Sequence, residues 1–77
     1  MSVRVTVSAR GVLARQFPGG ATAVALPDAE ASVGTLLDQL GVARSSCIAV
    51  VNGTAAGPAT RLRDGDRVQL YPQQAGG

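Results

Sequence analysis

The order of apolar patterns along this chain predicts an α+β domain, a mixed sheet of four or five strands packed on one main helix. Three stretches carry that expectation. In "SVRVTVS", Val3, Val5 and Val7 alternate with Arg4 and Thr6, the period of a half-buried strand. In "EASVGTLLDQLG", Val33, Leu36, Leu37 and Leu40 fall at i, i+3, i+4 and i+7, one stripe of a helix. "TRLRDGDRVQLYP" puts Leu62 before an Asp-Gly turn and then alternates again, with Val68 and Leu70 inward and Arg67 and Gln69 outward. With 77 residues the chain has room for one core. The apolar fraction of 45%, with one Phe, one Tyr and no Trp, suits a thin aliphatic core and argues against disorder.

Each element has its own punctuation. After the first strand, "ARGVLARQFPGG" offers Val12, Leu13 and Phe17 as anchors and Pro18-Gly19-Gly20 as a closing turn; it holds either a short helical turn or an irregular loop. "ATAVALP" is the second strand, with Val24 and Leu26 on one face and Pro27 ending it. Its nearness to the first implies an antiparallel pair. Asp28 and Glu30 precede the helix, where they favour its positive end. Ser32 is the N-cap and Gly41 the left-handed stop, with Thr35, Asp38 and Gln39 facing water. "CIAVVNG" is a continuous apolar run, read as a strand in the middle of the sheet. A fifth, short strand falls near Gly57–Thr60 if the sheet has one. The expected core is Val3, Val5, Leu36, Leu40, Val50 and Val68.

Much chemistry is excluded. The net charge of +2 rests on seven scattered arginines with almost no aromatics between them, which argues against nucleic acid as a partner. The chain has no histidine, so no Ser-His or Cys-His pair and no His-ligated metal can form. It has no lysine to complete a phosphate loop. Asp64 and Asp66 flank a glycine and read as turn formers, because a calcium site needs about six oxygens or more. Cys47 stands alone at the head of an apolar strand, where it reads as a small core residue and not a reactive thiol. No apolar stretch approaches the ~20 residues of a membrane span, and the N-terminus alternates where a signal peptide would be continuously apolar. The expectation is a cytoplasmic chain that is not an enzyme by itself and acts as a carrier or partner.

The chain's end raises the functional question. Residues 1–71 read as the domain and 72–77 as a flexible tail closing on Gly76-Gly77. Such a tail is either a frayed end or itself the reagent. The strand ending in Asn52-Gly53, the Leu62-Arg63-Asp64-Gly65-Asp66 turn, "LYP" and the terminal diglycine, in this order, resemble the ThiS/MoaD family of ubiquitin-like sulfur carriers over nearly the whole length. "LYPQQAGG" looks closest to the molybdopterin synthase small subunits, the MoaD-like branch.

The resemblance implies a ubiquitin-like β-grasp fold. It also implies that the Gly77 carboxylate is adenylated by a ThiF/MoeB-like partner enzyme using ATP and magnesium. Sulfur from a donor protein would then convert it to a thiocarboxylate, which serves a sulfur-accepting biosynthetic enzyme. No cofactor is bound by the chain itself. Gly76 would pass a channel too narrow for a β-carbon. Arg67, Gln69, Tyr71 and Pro72, beside the tail, would bind partners. Gln73 and Gln74 replace the second proline and apolar residue of the MoaD-like pattern, and the segment between the first two strands is longer than in thiamin-type carriers. The receiving pathway is therefore open: molybdopterin-type first, with thiamin, cysteine or a specialised sulfur metabolite after it. Two other classes stand beside this one, a protein modifier conjugated through the diglycine and a non-catalytic β-grasp interaction module.

Overall fold

The computed structural model describes residues 2–11 and 20–73. Among them are β1 (Ser2–Ala9), β2 (Ala21–Pro27), α1 (Val33–Leu40), β3 (Cys47–Val51), β4 (Thr54–Ala56) and β5 (Arg67–Pro72), with 3₁₀ turns at Asp28–Glu30 and Arg44–Ser46. The anchors Val12, Leu13 and Phe17, the Pro18-Gly19 part of the first turn, and Gly76-Gly77 lie outside the described residues.

The sheet order is β2-β1-β5-β3-β4. β1 and β2 are antiparallel, with Val5 opposite Val24, while β1 and β5 run parallel with Val7 opposite Val68. β3 is antiparallel to both β5 and β4. The alternation in the sequence is what makes this work. Val3, Val5, Val7, Val24, Leu26, Val68 and Leu70 all turn to one face and are buried there with Val33, Leu36 and Leu37 of the helix. No buried polar side chain interrupts this core among the described residues.

The helix is bounded as its residues dictate. Ser32 is extended at φ −130°, and its Oγ accepts the Thr35 N–H at 3.2 Å. Gly41 adopts φ +76°; its N–H donates to the Asp38 carbonyl and Val42 N–H to that of Leu37, the paired bonds of a left-handed helix stop. The otherwise orphaned N–H groups of Val33 and Gly34 donate to the carbonyls of Thr60 and Pro58. The loop before β5 thus caps the helix.

Four expectations are corrected. Val50 is not core: directly opposite residues share a face, and β3 pairs Ala49 with Leu70 and Val51 with Val68, so Ile48 and Val50 point the other way. β3 itself is an interior strand, as expected, flanked by β5 and β4. The short fifth strand is Thr54–Ala56, because Asn52 and Gly53, at φ 51° and 86°, turn the chain straight back along β3. Residues 57–60 are then free to cap the helix. Leu40, at the helix end, is only partly buried against the core, and Thr35 is half-buried, its hydroxyl 3.0 Å from Ser32 Oγ.

Candidate functional site

The sheet face opposite α1 is built from the outward residues of the same strands. On β5 these are Arg67, Gln69 and Tyr71, which the sequence singled out and the structure places together in one row. Their neighbours across the ladder are set by register. Tyr71 lies opposite Ile48, Gln69 opposite Val50 on one side and Ser8 on the other, and Arg67 opposite Thr6. Tyr71 and Ile48 are 36% and 45% exposed, large apolar surfaces that the fold leaves facing water. The Tyr71 hydroxyl donates to Gln69 Oε1 at 3.2 Å, which steadies the ring over the strand. Pro72 is different. It pairs with Cys47 and alternates to the helix side of the sheet, half-buried, so it does not share the face of the other three.

Sequence reasoning passed over Ile48. Its run was read as a middle strand with no face assigned to Ile48, yet a strand that covers one core must turn every second residue away from it. The signal was present in the opposite strand: a partner alternating as cleanly as "RVQLY" implies one buried face, not two.

The acidic turn ahead of β5 is held by its own carboxylates. Asp64 Oδ1 accepts the Arg4 N–H at 2.8 Å, and Asp66 Oδ2 accepts the Arg63 N–H at 2.8 Å. Asp66 Oδ1 also accepts from Asn52 Nδ2 at 2.9 Å, while Asn52 Oδ1 accepts the Arg67 N–H at 2.9 Å. These bonds fix where β5 begins and tie it to the β3–β4 turn. They join the Leu-Arg-Asp-Gly-Asp stretch to Asn52 through Asp66.

Cys47 is buried opposite Pro72, with Sγ 3.9 Å from the Ala43 carbonyl. Burial pushes its thiol pKa up from the ordinary value. A thiol held protonated is a poor nucleophile. Cys47→Ala is expected to cost about 1 kcal/mol through a small cavity and to leave any sulfur loading of the folded chain intact. Because the folded-state pKa is raised, the thiol's own contribution to stability is present below its unfolded pKa and is lost as pH rises toward the folded value. The difference in stability between parent and variant should therefore narrow on the alkaline side, which urea melts across pH would measure. A folded variant that cannot be loaded would give the thiol a chemical role.

Gly76 and Gly77, the expected reacting residues, lie outside the described residues, as does Gln74. Among the described residues no helix is long and apolar enough to cross a membrane.

A five-stranded mixed sheet in this order, packed on one main helix, defines a ubiquitin-like β-grasp protein. The chain belongs to the ThiS family, whose model matches residues 13–77. No curated protein matches it. Among solved structures it is similar to a Pyrococcus furiosus protein assigned as molybdopterin converting factor, subunit 1. The two are 20% identical with a TM-score of 0.79, over 94% of this chain and 99% of the other. It is also similar to SAMP1 from Haloferax volcanii, at 22% identity and a TM-score of 0.76, over 96% and 99% of the two chains. The ubiquitin of Caldiarchaeum subterraneum aligns over the full length of both chains at 15% identity and a TM-score of 0.65. At these identities the likeness is one of fold. Family membership adds that such small ubiquitin-like proteins work with partner enzymes.

Proposed function

We propose that this protein is a cytoplasmic sulfur carrier whose Gly77 carboxylate is adenylated by a partner enzyme and then converted to a thiocarboxylate. The observation that carries this reading is the extent of the family match, which runs through β5 and on through Gly76-Gly77. The chemistry balances simply. A carboxylate oxygen of Gly77 attacks the α-phosphorus of ATP held by the partner, and pyrophosphate leaves. A sulfur nucleophile from the donor protein then attacks the acyl carbon and AMP leaves. Where that nucleophile is a persulfide of the donor, a thiol then attacks the donor's own sulfur in the resulting acyl disulfide, leaving a disulfide on the donor and releasing the thiocarboxylate, which passes its sulfur to the receiving enzyme. The chain supplies the acyl group and its delivery; the partner supplies nucleotide, magnesium and catalysis. Molybdopterin-type synthesis is the first candidate pathway, with thiamin, cysteine and specialised sulfur metabolites behind it.

Docking falls to the uncovered face. Tyr71, Ile48 and Val50 form an apolar strip beside Gln69 and Arg67, the mixture of aromatic anchor and arginine that carries binding energy at interfaces. Tyr71→Ala is expected to weaken the complex with the adenylating enzyme by about tenfold or more, roughly 1.4 kcal/mol, with a smaller effect on the free chain. Titration calorimetry beside thermal melts measures both. Unchanged affinity with a large fall in melting temperature would make Tyr71 a structural residue.

One observation favours a second reading. The structural neighbours include small archaeal modifier protein 1, so a modifier joined to lysines through the same activated carboxylate is the competing function. This chain has no lysine of its own, so it would be attached singly and not as lysine-linked chains. Intact-mass measurement after incubation with the adenylating partner, ATP and sulfide separates the cases. Replacement of oxygen by sulfur supports the carrier, covalent protein adducts support the modifier, and an unchanged mass supports a non-catalytic interaction module.

A further inference from the structure

We propose that Gly11 is a positioning residue for the carrier's tail: it seats the Pro72 ring and so fixes where the tail starts and which way it leaves. The proposal rests on the carrier reading for its functional consequence but not for its geometry. β5 is held on both flanks to its last residues. On the β3 side the Gln73 N–H donates to the Ser46 carbonyl at 3.0 Å, one step beyond the pairing of Pro72 with Cys47. On the β1 side the Arg10 N–H donates to the Leu70 carbonyl at 2.9 Å, extending that ladder past Ala9. In a parallel ladder the next donor on this side would be the N–H of residue 72. Proline has none, so the ladder stops there.

What takes its place is a contact of shape. Gly11 has φ +60°, and a β-carbon built on it would lie 3.0 Å from Pro72 Cγ and 3.5 Å from Cδ. A pyrrolidine ring can answer only by changing its pucker, so a β-carbon at position 11 must push Cγ away by a few tenths of an ångström while Cδ stays in contact, and strain left over from that adjustment falls on the root of the tail. Shifting Pro72 would pull the next amide, that of Gln73, from Ser46. The consequence is one of reach. Four residues follow Gln73, and fully extended they span at most ~13 Å, against ~20 Å if the tail were free from Pro72 onward. Such a short reach makes the direction of departure matter: a misaimed root loses the reacting geometry while the docking face on Arg67, Gln69 and Tyr71 stays intact.

Gly11→Ala tests this, with Gly20→Ala as its control, because Gly20 shares a positive φ of 87° but has nothing within 4 Å of its β-carbon position. Two readouts are needed: hydrogen exchange at the Gln73 amide of the isolated chain, and kcat and KM for ATP–pyrophosphate exchange with the adenylating partner. In Gly11→Ala the Gln73 amide should exchange about tenfold faster, and kcat should fall about tenfold with KM within about twofold. Gly20→Ala should match the parent. The same substitution in a Pro72→Ala background should have little further effect on either readout, since the ring it meets is gone. Parental Gln73 protection and kcat in Gly11→Ala, or equal effects of Gly11→Ala in both backgrounds, would overturn the proposal. If the parent itself gives no exchange with pyrophosphate, the carrier reading fails, and the Gln73 amide still decides whether Gly11 seats Pro72.

Discussion

Deleting Gly77, or replacing Gly76 with valine, is expected to abolish acyl-adenylate formation and to leave the melting curve unchanged. The two halves of this expectation come from different parts of the chain. Among the described residues the buried core runs from Val3 to Leu70 and β5 ends at Pro72, and these are expected to set the melting curve. The proposed reaction, by contrast, is expected to depend entirely on the last glycines. Loss of Gly77 shortens the reach by ~3.5 Å and moves the carboxylate back to Gly76, outside in-line distance of the nucleotide phosphate. Valine at 76 keeps the reach but adds a branched side chain and narrows the backbone angles open to the residue. An extra alanine after Gly77 should block the reaction as well, by carrying the carboxylate past the phosphate. ATP–pyrophosphate exchange measures all three. Normal exchange by either glycine variant would mean that the diglycine is an ordinary chain end.

The opposite pattern is expected at the centre of the sheet. Leu70 is 0% exposed on β5, which is paired on one side with β1 and on the other with β3. Leu70→Ala removes three carbons from a site walled by strands on both sides and by the helix, where collapse is limited. The expected loss is about 3 kcal/mol, within the usual range for a buried leucine. A domain of this size has roughly 4–12 kcal/mol of stability in all, so the variant should melt well over 10 °C lower and be partly unfolded near its midpoint. Urea unfolding should show a lower midpoint with an unchanged slope. Whatever fraction stays folded should still be adenylated. A loss below about 1 kcal/mol would mean that β5 is not the strand around which the core closes.

Much of the fold was legible because local chemistry agreed with it. β1 and β2 were read from alternation alone, and α1 from its stripe, its Ser32 cap and its Gly41 stop. Asp64 and Asp66 were read as turn formers because short carboxylates accept nearby backbone N–H groups; the bond from the Arg63 N–H to Asp66 is of that kind, whereas Asp64 accepts the Arg4 N–H from β1, far away in sequence. The face of β3 was not legible in its own residues. "CIAVV" has no period, and its orientation is decided by long-range pairing with β5, through Val51 opposite Val68 and the Asn52 side chain bonded to both Asp66 and Arg67. β4 was misplaced because a strand of Thr54, Ala55 and Ala56 carries no apolar signature and exists through the Asn-Gly turn before it. The candidate site followed the same division. Arg67, Gln69 and Tyr71 come from one alternating strand and stay together. Ile48, which completes the apolar strip, and Gly11, which meets Pro72, reach the site from far away in sequence.

The carrier reading stands or falls on where sulfur is found. After incubation with the adenylating enzyme, ATP and a sulfur source, the protein should be fragmented in the mass spectrometer and the sulfur located. The account predicts one sulfur in place of one oxygen, confined to fragments that contain the Gly77 carboxyl group, with Cys47 unmodified. Sulfur added at Cys47 with an ordinary carboxylate at Gly77 would contradict it.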